Sequence, residues 1–323
     1  MSRQRAFSGL MAFLVAATAW LSLAVPAGAA FPGTNGLITF WGGFNDPSNG
    51  PIQVRVMNPD GTGVMSLSHE SGVVDGLPRW SPDGSQIVFS RLILGQPAWN
   101  LYRMGADGSG VTRLTNQMQA NDFFAAWTAD GRIVFMHGQG ECVAGDSLWL
   151  INADGTGLRQ LTDPGYAACL PAPAPRASKI AFTGSFDGGS SFQIYTIDLD
   201  GSELRRLSPP GTLFDYRPNW SPTGNDLVFL SAPVSGIFNR SLWTMHANGT
   251  QRNQILGSSP SWDSPAWSPD GQFIVLHTCT DQQQVPGPCH IWVARRDGSG
   301  LTQLTFATSG QFDANADWQA IRR

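Results

Sequence analysis

The chain has 323 residues and a formal net charge of −4 at pH 7, with 41% hydrophobic and only 14% charged residues. That balance argues against nucleic acid as a partner, since phosphate binding needs a basic footprint. The four cysteines contain no pair at the two-to-four-residue spacing of zinc ligands, so they suit disulfides in an oxidising compartment.

The first element in chain order is an export signal. Arg3 and Arg5 supply a positive start, an apolar run extends from Leu10 to Val25, and Ala27-Gly28-Ala29 is a small-x-small cleavage pattern. The expected division is a signal peptide over 1–29 and one domain over 30–323. No cysteine follows the run directly, which argues against a lipid anchor. No later segment approaches the roughly 20 apolar residues of a spanning helix, so no membrane insertion is expected after cleavage. Loss of two arginines and no acid takes the net charge to about −6. The expected location is secreted or periplasmic.

From there two signatures alternate to the end. The first is Trp-Ser-Pro-Asp-Gly, at Trp80 to Gly84, Trp127 to Gly131 (as Trp-Thr-Ala-Asp-Gly), Trp220 to Gly224 (with Thr223) and Trp267 to Gly271. A degenerate copy places Ala174 at the tryptophan position, and Trp318 ends the series. The steps are 47, 47, 46, 47 and 51 residues. The second signature is an Asp-Gly or Asn-Gly turn at Asp60, Asp107, Asp154, Asp200, Asn248 and Asp297, with steps of 47, 47, 46, 48 and 49. Such dipeptides between apolar runs predict type I′ hairpins, which need positive φ at both central residues.

Each period predicts four strands. One ends at the tryptophan. The next, such as Ile87-Val88-Phe89, is apolar on both faces and hence buried on both sides. The third carries an aromatic five residues before the turn (Tyr102, Trp149, Tyr195, Trp243, Trp292), with Arg55 in the first copy. The fourth, such as Val111 to Thr115, ends in Leu-Thr or Leu-Ser, as at Leu114-Thr115, Leu161-Thr162, Leu207-Ser208 and Leu304-Thr305. A four-stranded unit of this size cannot bury both faces alone, and radial stacking covers them, so the predicted fold is an all-β, six-bladed β-propeller. A sandwich demands no strict period. The first set, from Asn35-Gly36-Leu37-Ile38-Thr39-Phe40, has no tryptophan strand before it, and the last tryptophan strand, Ala316-Asp317-Trp318, has nothing after it. The C-terminal strand therefore completes the first blade.

These residues resemble the TolB-type propeller repeat, a relative of the WD repeat, from Phe31 to the end of the chain. TolB itself carries an α/β domain before its propeller, whereas about 30 residues, nearly all signal, stand there in this chain. The resemblance is thus to the repeat and not to TolB proper. It implies the fold, export and a tendency to bind proteins.

No Gly-x-Ser-x-Gly elbow, His-Glu-x-x-His helix or phosphate-binding loop occurs, and the five histidines fall at non-equivalent blade positions. One constellation recurs: Asp75, Asp122, Asp215 and Asp313 lie five residues before a tryptophan position and Asp263 four before, with Cys169 in the degenerate copy. Either each aspartate caps its own turn or bonds the next blade, or the five ring one channel mouth and attract Ca²⁺ or a basic peptide. Arg79 and Arg217, each within four residues of a rim aspartate, would compensate part of that charge. Of three possible cysteine connectivities, Cys142–Cys169 and Cys279–Cys289 keep both bridges local. The reading is an exported, monomeric interaction module for a protein or peptide of the cell envelope. The alternative is a propeller hydrolase or lyase acting on a sugar or lactone, with a metal in the central channel.

Overall fold

The computed structural model describes residues 30–44, 50–140, 142–186, 192–209, 213–234, 239–259, 262–279, 288–308 and 310–322. The expected export signal over 1–29 lies outside them. No helix among the described residues is long and apolar enough to cross a membrane.

Six antiparallel four-stranded blades surround a central channel. Blade two runs outward as Val73–Trp80, Gln86–Ile93, Asn100–Gly105 and Thr112–Arg113, and blades three, four and five repeat this order in sequence. Blade one takes its inner strand from the C-terminus. Gln311–Ile321 pairs with Thr34–Phe44, setting Trp318 opposite Ile38 and Asp313 opposite Gly42. The ring is closed as the orphan strands require. A single parallel bridge, Cys289 to Phe312, joins blades six and one.

The second strands are buried on both faces, with Ile87, Val88 and Phe89 fully inaccessible and the equivalent residues of blades three and five at 0–1% exposure. The core lies between blades, as where Ile38, Phe40 and Met57 of blade one pack on Ala266, Val275 and Ile291 of blade six. Burial of each large side chain contributes about 1.5–3 kcal/mol. Polar links run around the channel as well: Asn219 Oδ1 accepts from the Trp267 amide of the next blade at 3.1 Å, and Asp317 Oδ2 from the Trp80 amide at 2.9 Å.

The repeated motifs have local causes. Ser81 Oγ accepts from the Gln86 amide and donates to Asp83, which also accepts from the Ser85 amide. The Asp-Gly turns differ from the expected type I′. Their aspartates keep negative φ, and only the glycine, such as Gly61 at 85°, is left-handed, its amide bonding Asn58 O. The Asp60 carboxylate instead accepts from the Thr62 amide, which holds the aspartate in ordinary backbone geometry. Gly61 has a second reason to lack a side chain: a Cβ there would lie 2.7 Å from Leu304 O of blade six.

Two registers correct the reading by spacing. In blade four Pro173 pairs with Ile180 as Trp80 pairs with Ile87, and the Ala174 amide bonds Lys179 O as Ser81 bonds Gln86 O. Pro173, not Ala174, therefore holds the tryptophan place, and Ala168, not Cys169, matches Asp75. In blade six, where Trp267 holds the tryptophan place, Trp262 is the residue that matches Asp75, and Asp263 stands one residue beyond it.

Candidate functional site

Topology sorts the connections onto two faces. The Ser-Pro-Asp-Gly and Asp-Gly turns share one face. The other, the loop face, carries the links from second to third strands and from each outer strand to the next inner one. All five expected carboxylates sit near the loop face. There they are buried or nearly so, and each meets a basic group. Asp75 binds Arg91 through two hydrogen bonds of 2.6 and 2.8 Å, and Glu70 engages the same guanidinium. Asp122 Oδ1 lies 2.8 Å from His137 Nδ1, and its Oδ2 has no partner among the described residues. Asp215 binds Arg252 at 2.7 and 3.0 Å. Asp313 lies 3.5 Å from Arg55, which explains why the first copy has arginine at the aromatic position. Burial raises the Asp313 carboxyl, and Arg55 only partly offsets this.

None of the five lines the central cavity, and among the described residues no three His, Cys, Asp or Glu side chains group as a metal site. The arginines nearest in sequence are not the partners of Asp75 and Asp215. Arg79 donates to Asn315 O, and Arg217 engages Asp263. Strand pleating accounts for this: Asp75 faces along the blade with Arg91, whose guanidinium lies over the Phe89 and Tyr102 rings.

What does line the channel is one position of each inner strand, of which the sequence singles out only Arg217, and that as a charge partner. Three positions before each tryptophan place, Leu77, Phe124, Leu170, Arg217, Ser264 and Asn315 all have φ between 47° and 57°. Each accompanies a register shift in its inner strand. Left-handed non-glycine backbone costs on the order of 1–3 kcal/mol unless the surroundings enforce it. Its consequence here is to turn the strand's side chains toward the axis. Five of the six line a cavity of about 60 Å³, together with Phe31 and Arg79. Five residue types share the six positions, Leu alone occurring twice, so composition offers no signal for it.

At the mouth, the one-residue offset of Asp263 sends its carboxylate to the opposite side from its counterparts. It meets both Arg217 and Arg240, the latter at 2.7 Å. Burial opposes ionisation of Asp263, but Arg217, His277 and Arg240 outweigh it and hold the carboxyl at about 2. Burial depresses the adjacent His277 to about 4 despite Asp263, and its Nδ1 accepts from the Asn315 amide.

Beside this cluster, between blades four and five, lies a cavity of about 210 Å³ walled by Leu170, Phe192, Phe214, Tyr216 and Arg240, with Cys142 at its edge. The Tyr216 hydroxyl is buried and has no hydrogen-bond partner among the described residues, and burial pushes its phenol up, keeping it a donor. Arg240 lies over the Tyr216 ring at 5.5 Å. Aromatic pairs mark the same face elsewhere: Trp41 with Phe312, Trp99 with Phe123, and Tyr166 with Phe186. Met118, Tyr166 and Phe306 are exposed on its loops. Both expected disulfides form there, Cys142–Cys169 tying a blade-three loop to the inner strand of blade four and Cys279–Cys289 closing a loop of blade six.

The structure is similar to TolB from Acinetobacter baumannii, with 18% identity and a TM-score of 0.69 over 88% of this chain and 67% of that one. It is similar to the putative TolB from Agrobacterium tumefaciens at 17% identity and a TM-score of 0.60, covering 88% and 99%. Oligogalacturonate lyase from Vibrio parahaemolyticus matches at 14% identity and a TM-score of 0.54, covering 86% and 77%. At such identities these likenesses show the fold alone. The family model of the TolB beta propeller domain matches residues 143–319, more than half of the chain. On that match, and on the blade geometry that agrees with it, the chain belongs to the TolB beta propeller domain family.

Proposed function

We propose that the chain is an exported interaction module that binds a protein or peptide of the cell envelope through its loop face. The observation that carries this reading is the aromatic cavity between blades four and five, with an unpartnered buried hydroxyl in its wall. Partly exposed aromatic and arginine side chains are the residue types that dominate binding energy at interfaces, and here they gather on one face. Two disulfides support an extracytoplasmic setting. A cation such as Ca²⁺ forms no part of the reading, because each of the five expected carboxylates already faces a basic group.

The test is site-specific photo-crosslinking in the native envelope. A crosslinker replacing Phe214 on the loop face is expected to capture a partner protein, and one replacing Val111 on an outer edge is not. Equal capture from both positions, or capture from Val111 alone, overturns the assignment of the face.

A further inference from the structure

The cavity between blades four and five has a chemistry that specifies its occupant. At about 210 Å³ it exceeds the roughly 150 Å³ that admits a benzene ring, so a bulky apolar side chain fits between Phe192, Phe214 and Leu170. A buried hydroxyl without a partner is costly, and Tyr216 has no acceptor among the described residues. Two guanidiniums stand at this point: Arg217 and Arg240 both engage the Asp263 carboxylate, while Arg79, next to Arg217 in the channel, faces Asp317. A neutral phenol donor beside two guanidiniums favours an anionic acceptor, since charge-assisted hydrogen bonds are the stronger ones.

Resting on the loop face as the binding face, we propose that this cavity takes a bulky apolar side chain of an acidic peptide segment, whose neighbouring carboxylate accepts from Tyr216 Oη beside Arg240. The sign is the reverse of what the aspartates suggest in the sequence: four of the five meet their basic partners along the blades, while Arg217 and Arg240 reach the mouth with Asp263. The Cys142–Cys169 bridge belongs to the site, because it holds Cys142 of the blade-three loop at the edge of a cavity otherwise built by blades four and five.

The experiment uses the full exported chain with both bridges intact and two blocked, labelled peptides, each with one central Phe. One is flanked by Asp and Glu, the other by Lys. Fluorescence anisotropy is expected to show binding of the acidic peptide, weakening as salt is raised because partly exposed charges are screened. Tyr216→Phe keeps the ring and is expected to weaken binding about tenfold without lowering the melting temperature. Cys142→Ser with Cys169→Ser is expected to weaken it as well. Tighter binding of the basic peptide, or unchanged affinity in Tyr216→Phe, overturns the ligand assignment. If the acidic peptide fails while Phe214 still crosslinks a partner, the ligand class falls and the binding face stands. If Phe214 captures nothing and the peptide fails too, both fall.

Discussion

His277 shows how a single buried group couples this fold to pH. It is 6% exposed, its Nδ1 accepts from the Asn315 amide, and its folded value is about 4 against 6.5 unfolded. Between those values the unfolded chain takes up a proton that the folded chain refuses. Stability attributable to this group is therefore present above pH 6.5 and is lost as pH falls toward 4, by up to about 3 kcal/mol. Asp263, held at about 2 against 3.8, adds loss only below that window. Thermal melts should show a melting temperature that declines from pH 6.5 to 4, with the slope reduced in His277→Gln. An unchanged slope in the variant would remove His277 as the cause.

At the level of strands, the Leu-Thr motif explains why the outer strands are so short. Thr115 Oγ1 accepts from the Leu101 amide at 2.9 Å, so a hydroxyl replaces the backbone acceptor that a longer strand would provide. Ser68, Thr162, Ser208 and Thr305 do the same at 2.8–3.1 Å. The outer strand of blade two is consequently Thr112–Arg113, shorter than the expected Val111 to Thr115. Blade five has Ile255-Leu256 there and keeps a paired outer strand over Asn253–Ser259. Thr115→Val leaves a buried amide unsatisfied and should cost about 1–3 kcal/mol in denaturant unfolding. Leu256→Val, where no such bond exists, should cost less than about 1.5 kcal/mol. Equal costs would mean that the hydroxyl has no such role.

For the whole molecule, closure is the decisive interaction. Gln311–Ile321 supplies the entire inner strand of blade one and buries Phe312, Ala314, Ala316, Trp318 and Ala320. Deleting residues 311–323 should remove on the order of 5 kcal/mol from Phe312 and Trp318 alone. It should also leave Thr34–Phe44 as an open edge prone to association. Calorimetry is expected to show a much lower or non-cooperative transition. A truncated chain melting cooperatively at the parent temperature would refute closure as the source of stability.

The repeat, its six copies, the closing strand and the disulfide pairing are legible in the residues themselves, because the signals are local. Ser81, Asp83 and Gly84 satisfy one another's backbone within six positions, and Cys279 and Cys289 share one loop. The destination of each charge is not local, and only the tertiary structure decided it. Asp215 finds Arg252 37 residues away, and Asp263, displaced by one position, faces the channel mouth where its counterparts face along their blades. The left-handed residue in every inner strand, which accompanies a register shift and leaves Leu77, Phe124 and Arg217 lining the channel, is not tied to one residue type. Side chains alternate with period two, so a bulge or a one-residue offset reverses which face a group joins, and spacing along the chain does not reveal it.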